Sequence, residues 1–201
     1  MPLEGTELVR ITGGQARGIR LKAPKGMRIR PTSDMVRKAL FDTLGAAVVR
    51  RKALDLFAGS GALGVEALSR GADYAVFVER DASAVRIIAE NLSNAGLSGK
   101  GEIIRGHYRL AVKKLEGRGE QFDLIFLDPP YQSDLLAAAA EILTAHCISS
   151  SRAIIVAEHF RKTVPPQTIA DIPLASTRTY GQTSLSYYQL NRPVEPAPFQ
   201  H

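Results

Sequence analysis

The 201-residue chain is poor in sulfur and in large aromatic residues: it has one cysteine, no tryptophan and 6% aromatic side chains. A lone Cys147 cannot close an internal disulfide, and no cluster of Cys and His has zinc spacing, so neither a disulfide framework nor a metal site is expected. Cys147 itself, at the end of a helical pattern, reads as a small core residue. No apolar run is long enough to cross a bilayer, and the opening MPLEGTELVR lacks the apolar stretch of a signal peptide. Membrane-spanning and disulfide-rich secreted classes are thereby excluded, and a cytoplasmic protein that uses no membrane is the expectation. No internal repeat is present. Only the tail NRPVEPAPFQH, with three prolines in eleven residues, is biased enough to read as loose. The length suits a single folded unit, which at this size buries roughly 70% of its unfolded surface without help from a metal or disulfide.

Charge is plentiful but unevenly placed. Residues 1–52 carry 12 Lys and Arg against 4 Asp and Glu, a balance of +8, while residues 53–201 carry 14 against 16, a balance of −2. The net +6 therefore comes entirely from the first quarter, where Arg10, Arg17, Arg20, Lys22, Lys25, Arg28, Arg30, Arg37 and Lys38 are opposed only by Asp34. A run of this kind fits a solvated face, and it equally fits the footprint of a polyanion site.

The order of elements points to an α/β fold. LVRITGGQARGIRLKAP reads as two short strands about a Gly13-Gly14 turn, followed from Thr32 by a helix with Val36, Leu40 and Leu44 at helical spacing. Strands are predicted at 53–57, 74–79, 102–105, 122–127 and 153–157, alternating with helices at 61–70, 82–95, 108–115 and 134–146. Such alternation gives a mainly parallel sheet with helices on both faces. The last two β-like runs flank Gly181 too closely for a crossover helix, so they should pair antiparallel at one edge. This divides the chain into a basic hairpin extension at 1–31, an α/β domain at 32–190 and the tail at 191–201.

Two stretches at strand ends carry chemistry. In LDLFAGSGALGVEAL the first parallel strand runs into Gly59, Gly61 and Gly64 and then a helix, the context of a loop that brings backbone close to a nucleotide. Glu79, ending the next strand, is the expected acid for a ribose diol. The pattern is shared with NAD enzymes, and a tight turn with no ligand would also use glycines. Asp55 separates the candidates: a carboxylate inside the first strand gains nothing from a pyrophosphate but can hold an amino-acid ammonium. S-adenosyl-L-methionine uses both acids. In FDLIFLDPPYQS, four apolar residues end at Asp128, where Pro129 and Pro130 lock an extended link that carries Tyr131.

Together with RITGGQARGIRLKAPKGMRIRPTSDMVRKALFDTL, these stretches resemble the RsmD family of 16S ribosomal RNA guanine-N2 methyltransferases over roughly residues 9–190. The glycine loop and DPPY are common to many methyltransferases, including adenine-N6 enzymes. The hairpin leading into RPTSDMVRKALF is the specific part. The resemblance implies a Rossmann-like class I methyltransferase sheet of seven strands, mainly parallel with an antiparallel last strand, and a small N-terminal hairpin. It implies S-adenosyl-L-methionine as cofactor, held by Asp55, Phe57, Gly59, Gly61, Glu79 and Arg80. His107 stands where such enzymes often carry Asp or Asn for the adenine, so it is either an adenine contact or a structural loop residue. Asp128, Pro129, Pro130 and Tyr131 fall on the target-base motif. Arg10, Arg17, Arg20, Lys22, Arg28, Arg30 and Arg37 become candidate RNA contacts, with 16S rRNA, free or in a partly assembled small subunit, as partner of a monomer.

Overall fold

A computed structural model describes residues 8–24, 32–130 and 134–190. Tyr131, Arg28, Arg30, Lys25 and the tail lie outside the described residues. The strands are β1 (Leu8–Arg10), β2 (Arg20–Lys22), β3 (Lys52–Asp55), β4 (Tyr74–Glu79), β5 (Gly101–Arg105), β6 (Phe122–Leu127), β7 (Ser149–Phe160), β8 (Thr168–Ile169), β9 (Ile172–Tyr180) and β10 (Thr183–Gln189). The helices are α1 (Thr32–Leu44), α2 (Ala62–Ser69), α3 (Ala82–Asn94), α4 (Tyr108–Gly117) and α5 (Leu135–Thr144).

The main sheet has the order β5-β4-β3-β6-β7-β10-β9-β8. Strands β3 to β7 are parallel, as expected of apolar runs joined by helices. The chain builds outward from β3 through β4 to β5, then returns to lay β6 on the other side of β3. That reversal opens a crevice at the carboxyl ends of β3 and β6, where open α/β sheets take their ligands. The expected pairing of the two last runs is present, and β10 inserts between β7 and β9, antiparallel to both, so the edge belongs to β9 and the two-residue β8. The seven expected strands thus gain a short eighth.

Alternation along each strand sorts side chains to two cores. Ala53, Phe77, Leu124, Phe126, Val156 and Leu185 face α1, α2 and α3, while Leu54, Val76, Ile125, Leu127, Ile155 and Ala157 face α4 and α5. Burying one such large side chain is worth roughly 1.5–3 kcal/mol. Helix α3 starts where its sequence says it should: Asp81 caps the backbone N–H groups of Ser83 and Ala84 at 2.8 and 2.9 Å.

Two expectations fail locally. Gly13 and Gly14 do not form a tight hairpin turn; residues 11–19 connect β1 to β2, and the two glycines press against α2. A Cβ on Gly14, at φ +80°, would fall 1.9 Å from the Ser69 carbonyl oxygen, and one on Gly13 would meet the Arg70 guanidinium. At Gly14 the left-handed backbone and the contact with the helix backbone both require glycine. Cys147 is exposed, because it lies past the end of α5, where Ile148 takes the inward position.

Candidate active site

Four carboxylates gather at the carboxyl-terminal side of four neighbouring strands: Asp55 and Glu79 end β3 and β4, Asp128 follows β6, and Glu158 lies near the end of β7. Asp55 pairs in register with Phe77 and with Phe126, so Glu79 and Asp128, each two residues farther on, share its face. Leu127 pairs with Ala157, which sets Glu158 beside Asp128. The row Glu79, Asp55, Asp128, Glu158 crosses β4, β3, β6 and β7 at the crevice.

Asp55 is 1% exposed. Its Oδ2 accepts the Gly64 N–H at 3.1 Å, and its Oδ1 has no hydrogen-bond partner among the described residues. Burial pushes its pKa up to about 7; the Gly64 amide pulls it back, the Glu79 charge pushes it further, and the Phe57 amide lowers it. Glu79 is half-buried and works on the backbone, accepting from Gly59 N–H at 2.9 Å and Asp81 N–H at 2.8 Å. The glycine loop hangs between these acids. Gly59 and Gly61 have φ of +54° and +79°, and a Cβ on Gly64 would sit 2.2 Å from the Phe77 ring. Gly61, the N-cap of α2, has no side chain, and Asp55 takes the first-turn N–H of Gly64 in its place.

S-adenosylmethionine fits these residues. A buried carboxylate with an unpartnered oxygen is costly unless a donor arrives, and an amino-acid ammonium is such a donor. Glu79 is anchored through backbone N–H groups at the end of β4, and a carboxylate held there has the chemistry to accept a pair of ribose hydroxyls. Phe57 leans on Tyr108, with ring centroids 5.1 Å apart, and Arg80 is exposed beside Glu79. His107 stacks on Tyr108 at 4.5 Å, and its Nδ1 accepts the Arg109 N–H at 3.3 Å, making it the N-cap of α4 at the mouth of the site. Among the described residues no group of His, Cys, Asp and Glu could hold a metal.

Asp128 is half-buried at the end of β6, with Pro129 buried and Pro130 exposed. Loss of solvent raises its pKa well above the usual carboxylate range, and the charges of Glu158 and Asp55 raise it further.

The basic hairpin lies along α2. At one end Asn91, fully buried on α3, accepts the Lys22 N–H at 2.8 Å and donates to the Lys22 and Ser60 carbonyls, each at 2.9 Å. At the other end Glu66, also fully buried, accepts from Thr12 N–H at 2.8 Å, Thr12 Oγ1 at 2.7 Å, Arg70 Nε at 2.8 Å and Arg37 Nε at 3.3 Å. Arg10, Arg17 and Arg20 are exposed, and Lys22 reaches out to Glu90 at 2.8 Å. Arg37 departs from its expected role. It is 5% exposed, bonded to Glu66, to Asp34 and to the Arg10 carbonyl, and this inward ion pair leaves no guanidinium for a phosphate.

Glu158, Asn91 and Glu66 were not singled out in the sequence. Glu158 had a signal, since it closes the apolar run AIIVA as Glu79 and Asp128 close theirs. Asn91 and Glu66 had none, because a polar residue inside a helical pattern reads as solvent-facing.

A family model described as "Conserved hypothetical protein 95" matches residues 9–189. The chain is 34% identical over 185 residues to ribosomal RNA small subunit methyltransferase D of Escherichia coli strain K12, covering 92% of this chain and 91% of that protein. A solved hypothetical protein of Thermus thermophilus superposes with a TM-score of 0.78 at 36% identity, covering 90% of this chain and 99% of the other. SMU.776, described as "a putative methyltransferase complexed with SAH", shares the fold at a TM-score of 0.69 and 13% identity, over 94% of this chain and 57% of that one.

Proposed function

Because the chain belongs to the Conserved hypothetical protein 95 family together with ribosomal RNA small subunit methyltransferase D, we propose that it methylates the exocyclic N2 of a guanine in 16S rRNA. It is an S-adenosylmethionine-dependent rRNA methyltransferase. The observation that carries the finer reading is the half-buried Asp128 on its proline link, on the same face as Asp55 and one strand repeat beyond it, roughly 7 Å along the strand direction.

Bound at the glycine loop, the cofactor supplies the methyl group as a sulfonium. Asp55 would hold the ammonium and Glu79 the ribose, each already anchored on the loop through Gly64 N–H and Gly59 N–H. An exocyclic amino group is a poor nucleophile because its lone pair is delocalised into the purine. Asp128 and the Pro129 carbonyl accept its two N–H groups, so the nitrogen can pyramidalise and present the lone pair. The acceptors are fixed before charge develops, which is where preorganised groups contribute most. As the N–C bond would form, the methyl–sulfur bond would break and leave a neutral thioether; the amino group becomes acidic and its proton passes to Asp128 or to solvent, and the raised proton affinity of Asp128 suits it to that acceptance.

A paired base cannot reach such a crevice, so the target is unpaired or flipped out, with flanking phosphates on the exposed Arg10, Arg17 and Arg20. We read the substrate as 16S rRNA, met in the cytoplasm by a single copy of the chain, on naked RNA or a partly assembled small subunit. Incubation with small-subunit RNA and labelled cofactor, followed by nucleoside mass spectrometry, should yield N2-methylguanosine. N6-methyladenosine as the product would overturn the reading. In the same assay Asp128→Ala should keep cofactor affinity and lose on the order of 10²–10³ in rate.

A further inference from the structure

Guanine and adenine both carry an exocyclic amino group that Asp128 could accept, and they differ at the neighbouring ring nitrogen. Guanine N1 bears a hydrogen; adenine N1 is an acceptor. We infer that Glu158 selects the base: its carboxylate accepts guanine N1–H beside Asp128, which accepts from N2, and it repels the bare N1 of adenine. The inference rests on the guanine-N2 reading above and deepens it.

The geometry comes from strand register. Leu127 and Ala157 are partners across β6 and β7, so Asp128 and Glu158 stand side by side one residue later. Adjacent strands lie about 4.8 Å apart, a spacing that one Watson–Crick edge can span. Glu158 lies opposite Leu185 inside β7, on the face of Phe126 and Val156, and its charge acts on Asp128, the residue that follows the end of β6. Both are half-buried.

Acids gathered at a rim are not in themselves a ligand site. Here the row also contains the fully buried Asp55 Oδ1, without a partner among the described residues, and an open glycine loop. Those features seat the cofactor at the Asp55 end of the row, which leaves the Asp128–Glu158 end for the base that takes the methyl group, and a guanine edge offers three N–H donors in sequence. An adenine edge would put a lone pair against Glu158, in surroundings where burial magnifies the repulsion. The effect of Glu158 on Asp128, second only to burial in raising its pKa, agrees with two groups sharing one small space.

The test replaces the target guanine of a synthetic RNA with 2-aminopurine, which keeps the 2-amino group and lacks N1–H. Wild-type enzyme should lose about ten- to hundredfold in kcat/KM on this RNA, the usual range for one misread base contact. Glu158→Ala should lose a similar factor on guanine RNA and almost nothing further on 2-aminopurine RNA, with cofactor affinity unchanged. Glu158→Gln, whose side-chain oxygen still accepts, should recover part of the guanine activity. An equal loss on both RNAs would make Glu158 a structural residue and overturn the inference. Wild-type enzyme that methylates both RNAs equally well overturns it too, even should the variants fail to fold. A wild-type product other than N2-methylguanosine is a different result: it removes the guanine-N2 reading itself.

Discussion

Asp55 is the buried acid whose protonation bears most directly on the ammonium contact proposed for it. Its folded pKa of about 7 lies above the ordinary carboxylate value of 3.8, so the folded protein holds a proton that the unfolded chain has released between those values. Its contribution to stability is therefore greatest at low pH, declines as pH rises from about 4 towards 7, and is level above that. Cofactor binding runs the other way, because only the ionised carboxylate attracts an ammonium. Affinity for S-adenosylmethionine, measured by calorimetry, should rise between about pH 6 and 7.5, approaching tenfold per pH unit at the lower end, and Asp55→Asn should flatten that rise. Wild-type affinity that does not change over this interval would remove Asp55 from the ammonium contact.

At the scale of elements, the parallel strands β3 to β7 were legible because the apolar runs from β3 to β6 each end in a charged or glycine-rich stretch and a helix follows; their spatial order β5-β4-β3-β6-β7 is set by the assembled sheet. The position of β10 inside the sheet was not legible. Adjacent runs joined by a short turn fix their mutual pairing and leave open which of them meets β7. Helix α3 likewise reads as an ordinary amphipathic helix, yet Asn91 makes it the clasp between the hairpin and the glycine loop. Asn91→Ala strips partners from the Lys22 N–H and from two carbonyls. It should destabilise the fold by about 2–4 kcal/mol and weaken cofactor binding, because Ser60 lies between Gly59 and Gly61. Chemical denaturation with cofactor titration checks this; a change below about 0.5 kcal/mol, the size of an ordinary surface substitution, would mean that the clasp contributes nothing.

Across the whole molecule, the hairpin and the sheet share one core. Val9, Ile11, Ala16 and Leu21 are buried in the same cluster as Phe41, Val65 and Phe77, so the basic segment is packed along α2, whose eight residues span about 12 Å. The exposed arginines thus extend a fixed track away from the cofactor loop. Reversing Arg17 and Arg20 to Glu should weaken RNA binding and make its salt dependence shallower, while cofactor affinity holds, since neither side chain takes part in the Asn91 or Glu66 contacts. RNA affinity and salt slope equal to wild type would return the +8 segment to the role of a solvated face.

The sequence by itself determined what depends on local pattern: parallel strands from apolar runs, a glycine loop before a helix, and an acid held by two prolines at the end of a strand. It also located the charge. Only the tertiary structure decided which charges face outward. Arg37 and Arg17 are the same residue type in one basic run, but Glu66, far away in sequence, draws Arg37 inside while Arg17 stays in solvent. Glu158 joins Asp128 for a related reason: register across two strands sets the neighbours of a carboxylate, and register is a property of the assembled sheet.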